Sequence, residues 1–168
     1  MIHVQLKQFD TVLGPMMAIA DEKSLYLLEF VEKFEIKNEM KRLEKQLQMT
    51  ITSGETAIIN SIESEIADYF AGKINVFKTP IQLFGTPFQQ SVWEALRKIP
   101  WGETRSYLAI AKGLNKPTAF RAVAQANGAN RLAIIVPCHR VINADGGLGG
   151  YSGGIARKQW MLELENRC

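Results

Sequence analysis

Apolar residues in the first half of the chain follow two spacings in turn. In residues 12–30, VLGPMMAIADEKSLYLLEF, two apolar runs flank Asp21, Glu22, Lys23 and Ser24, a pattern that predicts two strands joined as a hairpin. Helical spacing follows in NEMKRLEKQLQ (38–48) and in TAIINSIESEIADYFAG (56–72), where Ile58, Ile62, Ile66 and Tyr69 form one stripe suited to a core. Gly72 ends that helix. KINVFKTPIQLFG (73–85), with Pro80 and a terminal glycine, reads as a linker or a last extended segment and places a domain boundary near Gly85. The first domain, 1–85, is therefore expected to be mixed α/β.

The second half opens on Thr86-Pro87-Phe88-Gln89, which combines an N-cap, a proline at the first helical position and a glutamine three residues after the cap. Phe88, Val92, Leu96 and Ile99 supply that helix with a buried face. A second helix is predicted over 106–111, a turn over 113–116, and a third helix from Pro117 to about Asn127-Gly128. Two short helices around a glycine-containing turn outline a helix-turn-helix, although any small helical hairpin shares that outline. Residues 86–168 thus read as a mostly α domain with a winged-helix-like organisation. In the third helix Ala119, Ala122, Ala124 and Ala126 leave little bulk around Arg121, so the backbone could approach a groove and let one cation reach in. The same alanines would equally serve simple packing.

Charge sharpens this division. Residues 1–85 carry 9 Lys+Arg against 12 Asp+Glu, a balance of −3, and residues 86–168 carry 11 against 5, a balance of +6. No acidic residue occurs between Glu103 and Asp145, where Arg105, Lys112, Lys116, Arg121, Arg131 and Arg140 fall. Such a stretch suits a phosphate backbone, or else forms a solvated basic face without a ligand. With 46% hydrophobic and 22% charged residues in 168, the chain has the makeup of a globular protein. Its start lacks a basic segment and a sustained apolar one, no apolar run approaches a membrane span, and a cytoplasmic location is expected. Two cysteines, Cys138 and the final Cys168, make a poor disulfide framework and leave Cys138 free.

The segment IVPCHRVINADGG (135–147) carries the candidate chemistry. Residues 132–136 are expected to form a buried strand that stops at Pro137, with Cys138 in the first helical turn after it, where free backbone N–H groups and the helix dipole favour a thiolate. His139 is the nearby base. Neighbouring side chains do not easily meet, so proton transfer would run through a water or an unusual turn. A small buried cysteine beside an exposed histidine fits the same residues. DGGLGGYSGG (145–154) matches no nucleotide-binding loop, so no nucleotide cofactor is expected; it is either a loop passing close to a ligand, with Tyr151 and Ser152 as its informative side chains, or a flexible connection.

GTPFQQSVW, Gly102 with SYLAIA, FRAV, NGAN, IVPCHRV, GGYSGG and the KQWMLELE tail together resemble the O6-alkylguanine-DNA alkyltransferases, or methylated-DNA-protein-cysteine methyltransferases, over essentially all of 86–168. The resemblance implies transfer of an alkyl group from O6 of a flipped guanine to Cys138, once per molecule, with His139 as water-linked base and Glu165 orienting it. It further implies that Tyr107 rotates the target phosphate and hydrogen-bonds the base, that Arg121 fills the vacated stack, and that Asn130 braces the active-site turn. The carbonyls of Cys138 and Val141 would accept from the guanine amino group, with the Ser152 N–H and Tyr151 against the alkylated edge. The implied partner is DNA containing O6-alkylguanine, met by a monomer without cofactor. Some relatives hold zinc through N-terminal cysteines and histidines, but the first half here offers only His3, so no metal is expected. Phe120 places unusual bulk beside Arg121. The rival readings are a damage sensor or helix-turn-helix regulator, which would not need Cys138, and a cysteine hydrolase, which would turn over repeatedly.

Overall fold

A computed structural model describes residues 2–167 and divides them into two compact units with the break between Gln82 and Leu83. Cys168, the second of the two cysteines, lies outside the described residues. The first unit is built on a four-stranded sheet of order β3-β2-β1-β4, from β1 (Ile2–Phe9), β2 (Met16–Ala20), β3 (Leu25–Phe30) and β4 (Met49–Ser53). β2 and β3 form the predicted antiparallel hairpin, and every residue of both strands is buried. β1 and β4 pair in parallel, the return connection running through α1 (Ile36–Leu47).

Hydrophobic pattern alone did not reveal β1 and β4. Both are short mixed-polarity segments, IHVQLKQF and MTITS, whose strand state depends on pairing with each other rather than on a local run. α2 (Ala57–Phe70) buries Ile58, Ile62, Ile66 and Tyr69 as the stripe predicts, is capped by the Thr56 hydroxyl accepting from Ile59 N at 3.1 Å, and ends at Gly72, whose φ of +73° suits glycine. Residues 80–82 protect the free edge of β3: Leu25 N donates to Pro80 O and Gln82 N to Leu25 O, both at 2.9 Å.

In the second unit α3 (Pro87–Arg97) starts on a complete capping box between Thr86 and Gln89. Its buried face is Val92, Trp93 and Leu96, with Ile99 just beyond, whereas Phe88 is only partly covered. Trp93 takes the central place because its indole N–H reaches the Ala126 carbonyl at 2.8 Å, tying α3 to α5. α4 (Tyr107–Gly113) is capped by Ser106. α5 (Phe120–Gly128) starts three residues later than Pro117, because 116–119 close their own turn through Ala119 N–H to Lys116 O at 2.9 Å. Two-residue strands β5 (Arg105–Ser106) and β6 (Val141–Ile142) pair in parallel, and α6 (Ile155–Arg167) completes the unit. No helix among the described residues is long and apolar enough to cross a membrane.

Thr86→Ala removes one capping partner at an exposed helix start and should lower the stability of the second unit by about 1 kcal/mol. All three tryptophans, Trp93, Trp101 and Trp160, lie in this unit, so the shift is read from the urea midpoint of tryptophan fluorescence.

Candidate active site

The segment leading to Cys138 is not the expected strand. Residues 131–137 hold isolated bridges rather than a strand, one of them between Ala133 and Val136, and Ile134 sits at φ +74° in the left-handed region. A buried amide imposes this shape. Asn130 accepts from Leu132 N at 2.9 Å through Oδ1, while its Nδ2 donates to Val136 O at 2.9 Å and lies 3.3 Å from both Leu132 O and Cys138 Sγ. Pro137, at φ −81° and ψ 65°, then forms an inverse γ-turn closed by Cys138 N–H to Val136 O at 2.8 Å.

Cys138–Arg140 make a single 3-10 turn, too short for a helix dipole of consequence, and the N–H of Cys138 is already spent on Val136. The expected dipole is replaced by the Asn130 amide as the donor facing the sulfur. The turn also separates the neighbours: Cys138 lines an open cavity of about 470 Å³, whereas His139 is fully buried and does not line it.

Behind Cys138, His139 Nε2 meets Glu165 Oε2 at 2.7 Å, and Arg140 grips the same carboxylate with Nε to Oε1 at 2.7 Å and Nη2 to Oε2 at 3.2 Å. The second terminal nitrogen of Arg140 donates to Ile99 O at 2.8 Å. Arg140 belongs by sequence to the basic stretch expected to suit a phosphate backbone, but at 8% exposed and neutralised by Glu165 it adds nothing to the outer basic face. Burial works against ionisation of Glu165, but the bonds from His139 and Arg140 outweigh it and hold the pKa at about 2. Burial pushes His139 below 6.5, with Arg140 and Lys158 adding to the effect against the pull of Glu165. A neutral imidazole bonded to a carboxylate must place its proton on Nε2, which leaves Nδ1 as the acceptor. That atom is buried and has no hydrogen-bond partner among the described residues.

Five of the expected site residues line the cavity, Tyr107, Arg121, Cys138, Tyr151 and Ser152, together with Ala124. Burial, with Cys138 nearby, raises the Tyr107 phenol above its ordinary 10, so it remains a donor. Arg121 is exposed at the rim on α5, its guanidinium 5.9 Å from the Phe120 ring centroid, and Phe120 also lines the cavity. Ala122 is exposed on α5 without lining the cavity, and Ala126 is buried under Trp93. The glycine-rich loop is pinned rather than loose. Gly149 has φ +72°, and a side chain there would meet Asn143 Oδ1 at 3.0 Å and Tyr107 Cε2 at 3.6 Å.

Lys158 and Asn127 escaped the sequence reading. Lys158 is wholly buried and donates to Val141 O at 2.6 Å and Gly150 O at 3.1 Å, joining the end of the cysteine turn to the glycine loop. Burial lowers its ammonium to about 8 against the attraction of Cys138, so it is mostly charged at pH 7. Its signal was spacing, since Lys158 stands two helical turns before Glu165 with Met161 and Leu164 on the same buried stripe. Asn127, 6% exposed, lines the cavity and donates from Nδ2 to Cys138 O at 3.3 Å. A larger cavity of about 740 Å³ lies in the first unit beside α2, but no cysteine or histidine lines it. Among the described residues, no group of three or more His, Cys, Asp or Glu gathers as a metal site would require.

A chain from Methanosarcina acetivorans named methylated-DNA–protein-cysteine methyltransferase is 39% identical over 163 residues, spanning 95% of this chain and 97% of that one. The protein belongs to this family. The family described as 6-O-methylguanine DNA methyltransferase, DNA binding domain, matches residues 87–167. A Salmonella typhimurium member is 38% identical over 98% of this chain and 97% of its own. Among solved structures, Mycobacterium tuberculosis OGT in complex with DNA superposes with a TM-score of 0.83 at 40% identity, covering 99% of this chain and 94% of that one. The α/β architecture is therefore that of the family.

Two outcomes follow from the buried cluster. Glu165→Gln leaves Arg140 without its counter-charge and should cost about 3–5 kcal/mol, read from the urea midpoint of tryptophan fluorescence. Because the folded pKa of His139 lies below 6.5, the unfolded chain binds the proton first as pH falls, and the stability due to neutral His139 is full above 6.5 and lost below it. The difference in urea midpoint between wild type and His139→Asn should therefore narrow from pH 7.5 to pH 5.5. Glu29, buried in the first unit with its pKa raised to about 7, acts with the opposite sign and cancels in that comparison.

Proposed function

We propose that the protein repairs DNA by transferring an alkyl group from O6 of guanine to Sγ of Cys138 in a single irreversible turnover. The observation that carries this reading is the position of Cys138, its side chain on a cavity open to the outside and its neighbour His139 locked to Glu165 in the interior. A base turned out of a duplex enters the cavity with O6 facing the sulfur. Neutral His139 takes the thiol proton at Nδ1 through a bridging water, and the Asn130 amide and the charged Lys158 favour the thiolate.

The thiolate attacks the alkyl carbon in line with O6, so that the S–C bond forms as the C–O bond breaks. Guanine leaves as its anion. The Tyr107 hydroxyl and the Ser152 N–H meet the developing charge, and the proton held by His139 returns to the base. The resulting thioether has no electrophilic carbonyl for water to attack, so the protein is spent.

The DNA-binding and acceptor work is assigned to residues 86–168, and the first 85 residues form the family's variable domain. In this reading α4, the turn 114–119 and α5 act as a helix-turn-helix of winged-helix-like organisation. What supports it is the exposed face of α5, where Ala122 and Ala124 leave little bulk around Arg121, with Lys112 on α4 and Lys116 in the turn also exposed. Arg121 takes the place of the flipped base in the stack, offsetting part of the few kcal/mol that unstacking costs. Mycobacterium tuberculosis OGT, solved in complex with DNA, has the same kind of partner. A cytoplasmic place of action belongs to the same reading.

Incubation with DNA carrying radiolabelled O6-methylguanine, followed by peptide mapping, should give one label per protein on Cys138 and none in Cys138→Ser. Repeated turnover would instead indicate the hydrolase. Arg121→Ala should slow transfer from duplex DNA about tenfold more than transfer from the free alkylated base, because only the duplex has a stack to fill.

A further inference from the structure

Phe120 is a large apolar side chain left 42% exposed on the basic second unit. Exposure of one ring means little by itself. Its place is informative, because the residue lines the cavity that holds Cys138. Phe120 opens α5, and Ala124 and Asn127, four and seven residues on, line the same cavity. Those spacings put the three on one face of the helix, with Phe120 about 10 Å along the axis from Asn127. Asn127 marks the inner end of this stripe, since it is 6% exposed and its Nδ2 donates to Cys138 O at 3.3 Å. Phe120 therefore stands at the mouth.

Arg121, the next residue of α5, is exposed at the same rim with its guanidinium 5.9 Å from the centroid of the Phe120 ring, within reach of cation–π attraction. The two side chains make one rim element, half of it charged and half flat and apolar. A base seated against Cys138 has left its helix, and the helix it left lies across the mouth of the cavity. The bases beside the gap have each lost a stacking partner, so an apolar face is open there. The ring of Phe120 suits that face as the guanidinium of Arg121 suits the gap.

We propose that Phe120 is a substrate-positioning residue whose ring stacks on the nucleobase next to the extruded guanine. The proposal rests on the alkyl-transfer reading and adds to it a contact outside the pocket that takes the damaged base. Stacking of this kind accepts any neighbouring sequence, because every base has a π face, and it needs no second strand. Arg121 differs in that respect, since the vacancy it fills exists only in a duplex.

Phe120→Ala should slow transfer from both duplex and single-stranded oligonucleotides carrying O6-methylguanine about tenfold more than it slows transfer from free O6-methylguanine. Phe120→Trp, which keeps a stacking face, should restore the oligonucleotide rates. A loss confined to the duplex overturns the proposal, as does an equal loss with the free base, which would make the ring a wall of the base pocket. Transfer from neither oligonucleotide by wild type would instead sink the alkyl-transfer reading itself. A second measurement needs no change at Phe120. In Cys138→Ser, which binds the lesion without accepting its alkyl group, 5-iodouracil placed on one side of O6-methylguanine or on the other should on irradiation attach to Phe120 from one of the two positions, as read by peptide mapping. The same probe moved about five nucleotides away should not attach there. Attachment only to other residues, or none, would also overturn the assignment.

Discussion

The Glu165 carboxylate holds the reactive segment in its working shape. One oxygen takes His139 and both engage Arg140, so a single ionised group joins α6 to the cysteine turn, and Arg140 extends the link to Ile99 at the end of α3. Because it is bound to a guanidinium, the carboxylate stays ionised in the interior, and because it accepts from Nε2, the histidine must offer Nδ1 as its base. Taking these charges out of water is costly. The gain is a histidine with one tautomer and one orientation, kept neutral where an exposed imidazole would be partly protonated at mildly acidic pH.

Around that hub, three buried polar side chains do the work that regular secondary structure does elsewhere. Asn130 satisfies the backbone of residues 132–136, which no sheet pairs; Asn127 holds the Cys138 carbonyl; and Lys158 ties Val141 to the glycine loop. Buried backbone groups need partners, and side-chain amides and an ammonium can supply them in shapes a ladder cannot follow. The resulting backbone is strained at Ile134 and tight at Pro137, and it delivers a cysteine to a cavity while turning its neighbour inward. The few bonds that shape the site are also the bonds that stabilise it, so the chemistry and the fold of the second unit cannot be varied independently.

Helices and their caps were legible along the chain, because the Thr86-Pro87-Phe88-Gln89 signal and the Ile58-Ile62-Ile66-Tyr69 stripe depend on residues a few positions apart. The hairpin of β2 and β3 was legible for the same reason. The motif PCHR with YSGG and the KQWMLELE tail pointed to family and chemistry together. Strands β1 and β4, the loop read as a strand at 132–136 and the late start of α5 were not legible, since each depends on partners or turn bonds that local spacing does not encode.

By itself, then, the order of residues determined the two-part organisation of charge, the positions of the amphipathic helices and the nucleophile with its neighbouring base. Tertiary structure decided which charges face water and which face one another. Arg140 and Lys158 look like any surface cation in a basic stretch or a polar helix, and only the approach of Glu165 and of two carbonyls makes them interior groups. Asn127 likewise becomes an interior group of the site only once its nitrogen is committed to Cys138 O. The reason is physical: the energy of a polar group is set by what surrounds it after the chain has closed, and residues tens of positions away supply those surroundings.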